Sequence, residues 1–351
     1  SSIACFSILL KGQIIGLIGE SGSGKTQLCL AASGMQDLTP GVVSGESIFT
    51  HGSSKTSLYP TDDSNKNNLF IDINNNYKRI DEFEFNREVK SRTRKLKSNV
   101  IGWIPQDPRN FLNPFWKIKR LFKESFDELS KNKNSNQFLD LDTFINHYLS
   151  EVDLDYNDIK DKYPHEMSGG ECQRAMIAFV LSKEPSFIIA DETTTGLDVS
   201  RQKKVIDLFK SIKKNNPNLT MIFVSHDFGF LDHVVDQYLV MYGGFLVEHI
   251  KNKKMIKESI NQLHPYTQDL LGRLFDHEID SYDELASKVD LHTKLDQCPY
   301  RFSCRYIGNN EPYENKCISE LPPIIETSIN NRKNIDLTNS WQRCWRKVDD
   351  I

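Results

Sequence analysis

The sequence predicts an α/β fold built on buried parallel strands, and three observations predict it. In "GQIIGLIGESGSGKTQLCLAASG" a short apolar run enters a glycine-rich turn, then an apolar-periodic helix beginning near Lys25. "SFIIADE" and "TMIFVSHD" repeat the strand signal, each a β-rich apolar run ending in polar or charged residues. Helical stretches separate these runs. Strands buried on both faces read as continuous apolar runs rather than alternating ones. Polar residues collect at their C-terminal ends, where open α/β sheets place ligands.

The bulk properties narrow the function classes. A chain of 351 residues has room for one large domain, or one domain plus an appendage. Its 38% hydrophobic and 26% charged residues suit a globular protein. Lysine and arginine total 44 against 48 acidic residues, a formal charge of -4, whereas a nucleic-acid footprint normally needs a basic domain. No run approaches the roughly 18 apolar residues that span a bilayer, so a membrane role is expected to run through a separate membrane partner. No charged-then-apolar signal pattern opens the chain, and a reducing compartment is expected, where structural disulfides are uncommon.

Between His51 and Ser98 the composition changes. "DDSNKNNLFIDINNNYKR" is rich in asparagine and lysine and reads as a long surface loop. The nearby "NREVKSRTRKLK" carries six basic residues and one acid. It is read as a solvated helix face, with a nucleic-acid or phospholipid patch as the competing reading. Residues 107–165 look mostly helical and form a candidate subdomain. From about Lys251 the strand signal fades and a cysteine-bearing tail begins.

The strongest local signal is "GESGSGKT", which fits the P-loop pattern. Gly19, Gly22 and Gly24, with Ser21 and Ser23 between them, let the backbone wrap phosphates closely with its N–H groups turned inward. Lys25 is expected to reach the β- and γ-phosphates, and Thr26 to ligate Mg²⁺. The helix that starts here offers its positive end to the anion. In "FIIADE", Asp191 closes an apolar strand, the place of a Walker B aspartate that holds Mg²⁺ directly or through water. Glu192 follows and is placed to polarise the attacking water as general base. A strand ending in Asp-Glu is common by itself; its pairing with a P-loop upstream gives it weight.

"YPHEMSGGECQR" sets Ser168, Gly169, Gly170 and Glu171 at the start of an expected helix. "MSGGE" resembles the signature motif of ABC-type ATPases, usually written LSGGQ. The remaining elements follow that family's order: Gln106 in "IPQDP" resembles the Q-loop, Asp198 in "TTGLD" the D-loop, and His226 in "VSHD" the switch histidine. The resemblance implies a P-loop NTPase with a RecA-like core, an ABC helical subdomain and antiparallel β elements. It implies two such domains dimerising head to tail around two ATP molecules, with Ser168, Gly169, Gly170 and Glu171 contacting nucleotide held by the partner. It also implies that His226 contacts the γ-phosphate, and that Mg²⁺ is held through Thr26, Gln106 and Asp191. Thr193 stands where the family usually has proline. The chain also begins too near the P-loop to include the family's usual first strand and adenine-stacking aromatic. Phe6 lies closer than that aromatic does, so no stacking residue is assigned.

"QDPRNFLNP", "YPHEMSGGE" and "HPYTQDLL" resemble the ATPases of oligopeptide/dipeptide permeases, a resemblance covering nearly the whole chain except the Asn-rich insertion. It implies a peptide importer's ATPase at the cytoplasmic face of the membrane. Its expected partners are a homologous ATPase subunit, two transmembrane permease subunits and, indirectly, an extracytoplasmic solute-binding protein; nucleic acid is not among them. Nickel or another small solute is the alternative cargo. Two further readings are a soluble ABC ATPase acting on DNA or ribosomes, and a redox-sensing module resting on the cysteines alone. The domain expectation is residues 1–250 for the nucleotide-binding domain, with a helical subdomain at about 107–175, and 251–351 for a C-terminal extension.

Seven cysteines are unevenly spread. Cys5, Cys29 and Cys172 are scattered through the nucleotide-binding part, and Cys29 and Cys172 read as small packing residues. Cys298, Cys304, Cys317 and Cys344 have five, twelve and twenty-six residues between them. Structural zinc sites usually show tight pairs, iron–sulfur spacings vary more widely, and spacing alone leaves iron–sulfur, zinc and free thiols open. The permease resemblance implies a 4Fe–4S cluster on these four cysteines, with Zn²⁺ as the alternative.

Overall fold

The structure is a computed structural model that describes residues 11–36, 47–51, 54–59, 82–131, 138–194, 199–275, 297–308, 313–326 and 340–346. Its strands, in chain order, are β1 (Ile14–Ile18), β2 (Ile48–His51), β3 (Ser54–Ser57), β4 (Ile101–Ile104) and β5 (Phe187–Asp191). They continue with β6 (Thr220–Ser225), β7 (Gln237–Tyr242), β8 (Phe245–Ile250), β9 (Ile324–Glu326) and β10 (Trp341–Arg343). The chain divides into two compact units, one of residues 1–25, 105–107 and 189–351, the other of 26–104 and 108–188.

In the first unit the strand order runs from the end of β5 through β6, β1, β7, β8 and β10 to β9. β1 is parallel to β6, pairing Ile14 with Met221, and parallel to β7, pairing Ile15 with Gln237. Every residue of β1, β5 and β6 is buried, as the continuous apolar runs predict. Helix Val199–Asn215 covers the sheet, and Phe209 meets Phe223 of β6 edge to face at 4.6 Å. Gly16 is required by close packing: a Cβ there would lie 3.0 Å from Tyr238 Cδ1 and 3.3 Å from Leu231 Cδ1.

β7 and β8 form an antiparallel hairpin with a register irregularity between Val240 and Met241. β10 then pairs antiparallel with both β8 and β9, setting Trp341 opposite His249 and Glu326. The C-terminal region therefore supplies strands to the sheet of the first unit. The expected fading of strand signal after Lys251 is corrected here. Three-residue strands carry too short a pattern to stand out, and their partners are fixed by tertiary contacts.

The second unit contains most of helix Lys25–Ala32, the β2–β3 hairpin, helix Glu82–Asn99 and β4. Val100 O accepts hydrogen bonds from Ser186 and Phe187, which sets β4 beside the start of β5. Along Glu82–Asn99 the buried residues are Phe85, Val89, Thr93 and Leu96, a stripe at helical spacing. Arg87, Lys90 and Arg94 are exposed, so the basic run is a solvated helix face. The Asn-rich stretch at 60–81 lies outside the described residues. Residues 107–165 are mainly helical, as expected, with helices Pro108–Phe111, Ile118–Lys131, Leu141–Ser150 and Tyr156–Ile159. Helix Gly169–Leu181 packs with these, and Phe122 meets Phe179 at 5.9 Å.

Candidate functional site

The first unit carries the glycine-rich turn between β1 and Lys25. Gly19 has φ +157°, and a Cβ on it would collide with the Met241 carbonyl. Gly22 and Gly24 have φ +81° and +97°, conformations that favour glycine. Ser23 N–H donates to Glu20 O (3.1 Å), and Gly244 N–H, in the β7–β8 turn, donates to Ser23 O (3.0 Å). Ser23 Oγ is buried and has no hydrogen-bond partner among the described residues. A buried hydroxyl left unpaired in a glycine-rich turn before a helix fits an anionic oxygen.

Lys25 is buried, and its Nζ donates to Gly19 O (2.8 Å) and Glu20 O (2.9 Å). Burial lowers its pKa; the nearby carboxylates of Glu192, Asp191 and Glu20 act in the opposite direction. Asp191 is buried at the end of β5. Glu192 has φ +46°, a left-handed conformation uncommon for a side-chain-bearing residue and often found at functional sites. Its N–H is anchored on Val224 O (2.8 Å), and its Oε1 lies 3.5 Å from His226 Nδ1. The structure thus brings Lys25, Asp191, Glu192 and His226 together at the C-terminal ends of β1, β5 and β6. Thr193 and Thr194, which follow Glu192 in the chain, are buried. Gln106 is exposed, in the segment 105–107 of the same unit. Asp198 and Phe6 lie outside the described residues.

Thr26, the first residue of the second unit, is half-buried in the opening turn of its helix. The same unit builds the other motif. Ser168 caps helix Gly169–Leu181: Glu171 N–H donates to Ser168 Oγ (3.2 Å), and Ser168 N–H donates to Glu171 Oε2 (2.8 Å). Those bonds with Ser168, with Lys162 Nζ 3.3 Å from Glu171 Oε1, pull the Glu171 carboxyl down to about 2. Arg109 braces the approach by donating to Met167 O (2.7 Å). A Cβ on Gly169 would meet nothing within 4 Å, and one on Gly170 only Arg174 Nη1 at 3.6 Å. The helix start is therefore open to an approaching group.

The C-terminal cysteines correct an expectation. Cys298, Cys304, Cys317 and Cys344 line one cavity and form no disulfide. The space is about 10 Å³, when one water needs about 10–15 Å³. Among the described residues no group of three or more His, Cys, Asp or Glu side chains is disposed to hold a metal ion. The 4Fe–4S cluster and its Zn²⁺ alternative are overturned by that finding. Cys298 and Cys317 instead hydrogen-bond to each other, a bond that raises the Cys298 pKa. Burial pushes Cys304 up to about 12. Lining a common cavity is not convergence on one point. Cys29 and Cys172 are buried, in line with their reading as packing residues, and Cys5 lies outside the described residues.

Tyr266 escaped the sequence reading as a site residue. Its hydroxyl accepts the Glu20 N–H (2.9 Å) across 246 positions of chain. The motif "HPYTQDLL" marks the residue, but nothing in it points to the P-loop.

A glycine-rich phosphate loop before a helix, with an Asp-Glu pair and a histidine at neighbouring strand ends, defines a P-loop nucleoside triphosphatase. Comparison with known proteins makes the class specific. The family model described as "ABC transporter" matches residues 7–195, and the chain belongs to that family; it is an ABC-type ATPase. It is 30% identical over 267 residues to the oligopeptide transport ATP-binding protein OppD of Lactococcus lactis subsp. cremoris (strain SK11), covering 75% of this chain and 67% of that protein. It is 32% identical to OppF of Bacillus subtilis (strain 168), covering 76% and 73%, and 28% identical to AppD of the same organism, covering 90% and 84%. A solved ATP-binding cassette, MJ0796, in a dimeric post-hydrolysis state bound to ADP and Pi, shares the fold. Its TM-score is 0.51 at 17% identity, over 70% of this chain and 88% of that one. Among the described residues no helix is long and apolar enough to cross a membrane.

Proposed function

We propose that this ATPase energises peptide import through an ABC transporter, at the cytoplasmic face of the membrane. The observation that carries the reading is the likeness to OppD, OppF and AppD, named as oligopeptide transport ATP-binding proteins. The proposed partners are a homologous ATPase, with which it forms a heterodimer, two membrane permease subunits and, indirectly, a solute-binding protein. Phe111 and Phe115, 63% and 85% exposed in the second unit, offer an apolar contact for a permease subunit.

In this reading Gly19, Ser21, Gly22, Ser23 and Gly24 wrap the ATP phosphates, and Lys25 turns from the loop carbonyls to the β- and γ-phosphates. Mg²⁺, when bound, neutralises charge on the phosphate oxygens, with Thr26, Gln106 and Asp191 as its proposed ligands. Glu192 takes the proton of the attacking water, and His226 fixes the γ-phosphate beside it. Ser168, Gly169, Gly170 and Glu171 receive the γ-phosphate of the partner's ATP on an open helix N-terminus, and Asp198, outside the described residues, is the proposed D-loop residue. Residues 1–250, including a helical subdomain at about 107–175, carry the nucleotide machinery. Residues 251–351 are an extension that adds strands β9 and β10.

Purification of the native complex tests the proposal, followed by reconstitution in vesicles with a binding protein. Membrane permease subunits should co-purify, and peptide should stimulate ATP hydrolysis. Stimulation by nickel alone assigns a metal-ion importer, and co-purification of ribosomes or DNA without permease subunits overturns the transport reading.

A further inference from the structure

We propose that Tyr266 is a positioning residue for the phosphate loop, holding Glu20 in the geometry from which Lys25 meets nucleotide. The inference rests on the reading of residues 19–26 as the nucleotide loop.

Glu20 is gripped at both ends of its peptide groups. Its N–H donates to Tyr266 Oη (2.9 Å), while its carbonyl accepts Ser23 N–H (3.1 Å) and Lys25 Nζ (2.9 Å). The residue that fixes Glu20 therefore also fixes the acceptor on which Lys25 rests. Tyr266 is suited to the task because it cannot move cheaply. It is fully buried at the start of helix Pro265–Phe275, with its ring centroid 4.7 Å from that of Tyr242 and 5.3 Å from that of Tyr300. Its own N–H donates to His264 Nδ1 (3.1 Å), and the His264 N–H donates to Glu248 Oε1 on β8 (3.0 Å).

Tyr300 completes the support from the cysteine-bearing segment. Its hydroxyl donates to Asp269 Oδ2 (2.5 Å), one helical turn beyond Tyr266, and Arg305 pairs with the same carboxylate group. Residues 297–308 thus press on the back of the ring whose front touches the phosphate loop. The Tyr266 phenol thus joins the C-terminal region to the phosphate loop at Glu20.

Mant-ATP titration of the 351-residue chain tests this with three variants. Tyr266→Phe keeps the ring and deletes the acceptor. Loss of one hydrogen bond is expected to raise the Kd about three- to tenfold with the rate at saturating ATP unchanged, and to lower the Tm of nucleotide-free protein, which makes the same bond. Tyr300→Phe should leave the Kd as in the wild type, because its hydroxyl serves Asp269. A Tyr266→Phe Kd equal to wild type, or an equal rise in Tyr300→Phe, overturns the proposal. Lys25→Ala separates the two levels: if it too binds mant-ATP normally, the reading of the loop fails and not the role of Tyr266 alone. Amide hydrogen exchange on the unmutated protein gives a second measurement. The Glu20 N–H should be protected before ATP is added, and unprotected exchange there also overturns the proposal.

Discussion

His226 Nδ1 lies 3.5 Å from Glu192 Oε1, joining the ends of two neighbouring strands, β6 and β5. Glu192 cannot drift from that position easily, since its left-handed backbone is tied by its N–H to Val224 O. A carboxylate so placed can accept a proton while the imidazole faces the same side. Glu192→Gln should bind mant-ATP as the wild type does and lose about 10²–10⁴-fold in turnover, the usual worth of a general base. Near-normal phosphate release by that variant would remove Glu192 from the role.

Gly16 tests the packing under the phosphate loop. A side chain there meets Tyr238 and Leu231 at once. Gly16→Val is expected to cost about 1–3 kcal/mol by overpacking, read as a lower urea midpoint with an unchanged slope. Full stability in this variant would show that the Tyr238 ring has room to yield.

The capping box of Ser168 and Glu171 predicts an acid-side pH dependence. The Glu171 pKa falls from 4.5 to about 2 in the folded protein, first through its hydrogen bonds with Ser168. A depressed carboxylate contributes stability that is present above pH 4.5 and lost as pH falls through 2. Glu171→Gln keeps the cap and removes this titration, so its stability profile should be flatter over that window than the wild type's. Ser168→Ala removes the cap and the hydrogen bond that most depresses the Glu171 carboxyl, so it should cost about 1 kcal/mol near neutral pH and less as pH falls toward 2. Parallel acid profiles for Glu171→Gln and wild type would refute the assignment.

His264 predicts a second pH effect at milder acidity. Burial lowers its pKa from 6.5 to about 3, and its Nδ1 must stay unprotonated to accept the Tyr266 N–H. The unfolded chain binds this proton more readily than the folded one. Stability from neutral His264 is therefore complete above about pH 6.5 and declines as pH falls toward 3. Thermal melts between pH 7 and 4 should show His264→Gln losing less stability on acidification than the wild type.

The sheet and the catalytic side chains were legible for a common reason. β1, β5 and β6 are buried on both faces, so their sequences are unbroken apolar runs, and the residues just past them, Lys25, Asp191, Glu192 and His226, stand out by contrast. The signature helix announced itself through Ser168 and Glu171, whose mutual capping is a local pattern. What stayed hidden depends on distant partners. β9 and β10 are too short for periodicity to register, and Trp341 finds His249 only through tertiary pairing. The left-handed backbone of Glu192 has no residue-type signal. The permease resemblance implied a common ligand set for the four C-terminal cysteines, but among the described residues they share a cavity without converging. The bond from Glu20 to Tyr266 spans most of the chain and belongs to no motif.

Lys25 rests on the carbonyls of Gly19 and Glu20, and this makes ATP capture an exchange reaction. The phosphates must win the ammonium from the loop's own acceptors, so measured affinity is a difference between two sets of bonds to one cation. The loop's own carbonyls and the incoming phosphates compete for the same ammonium.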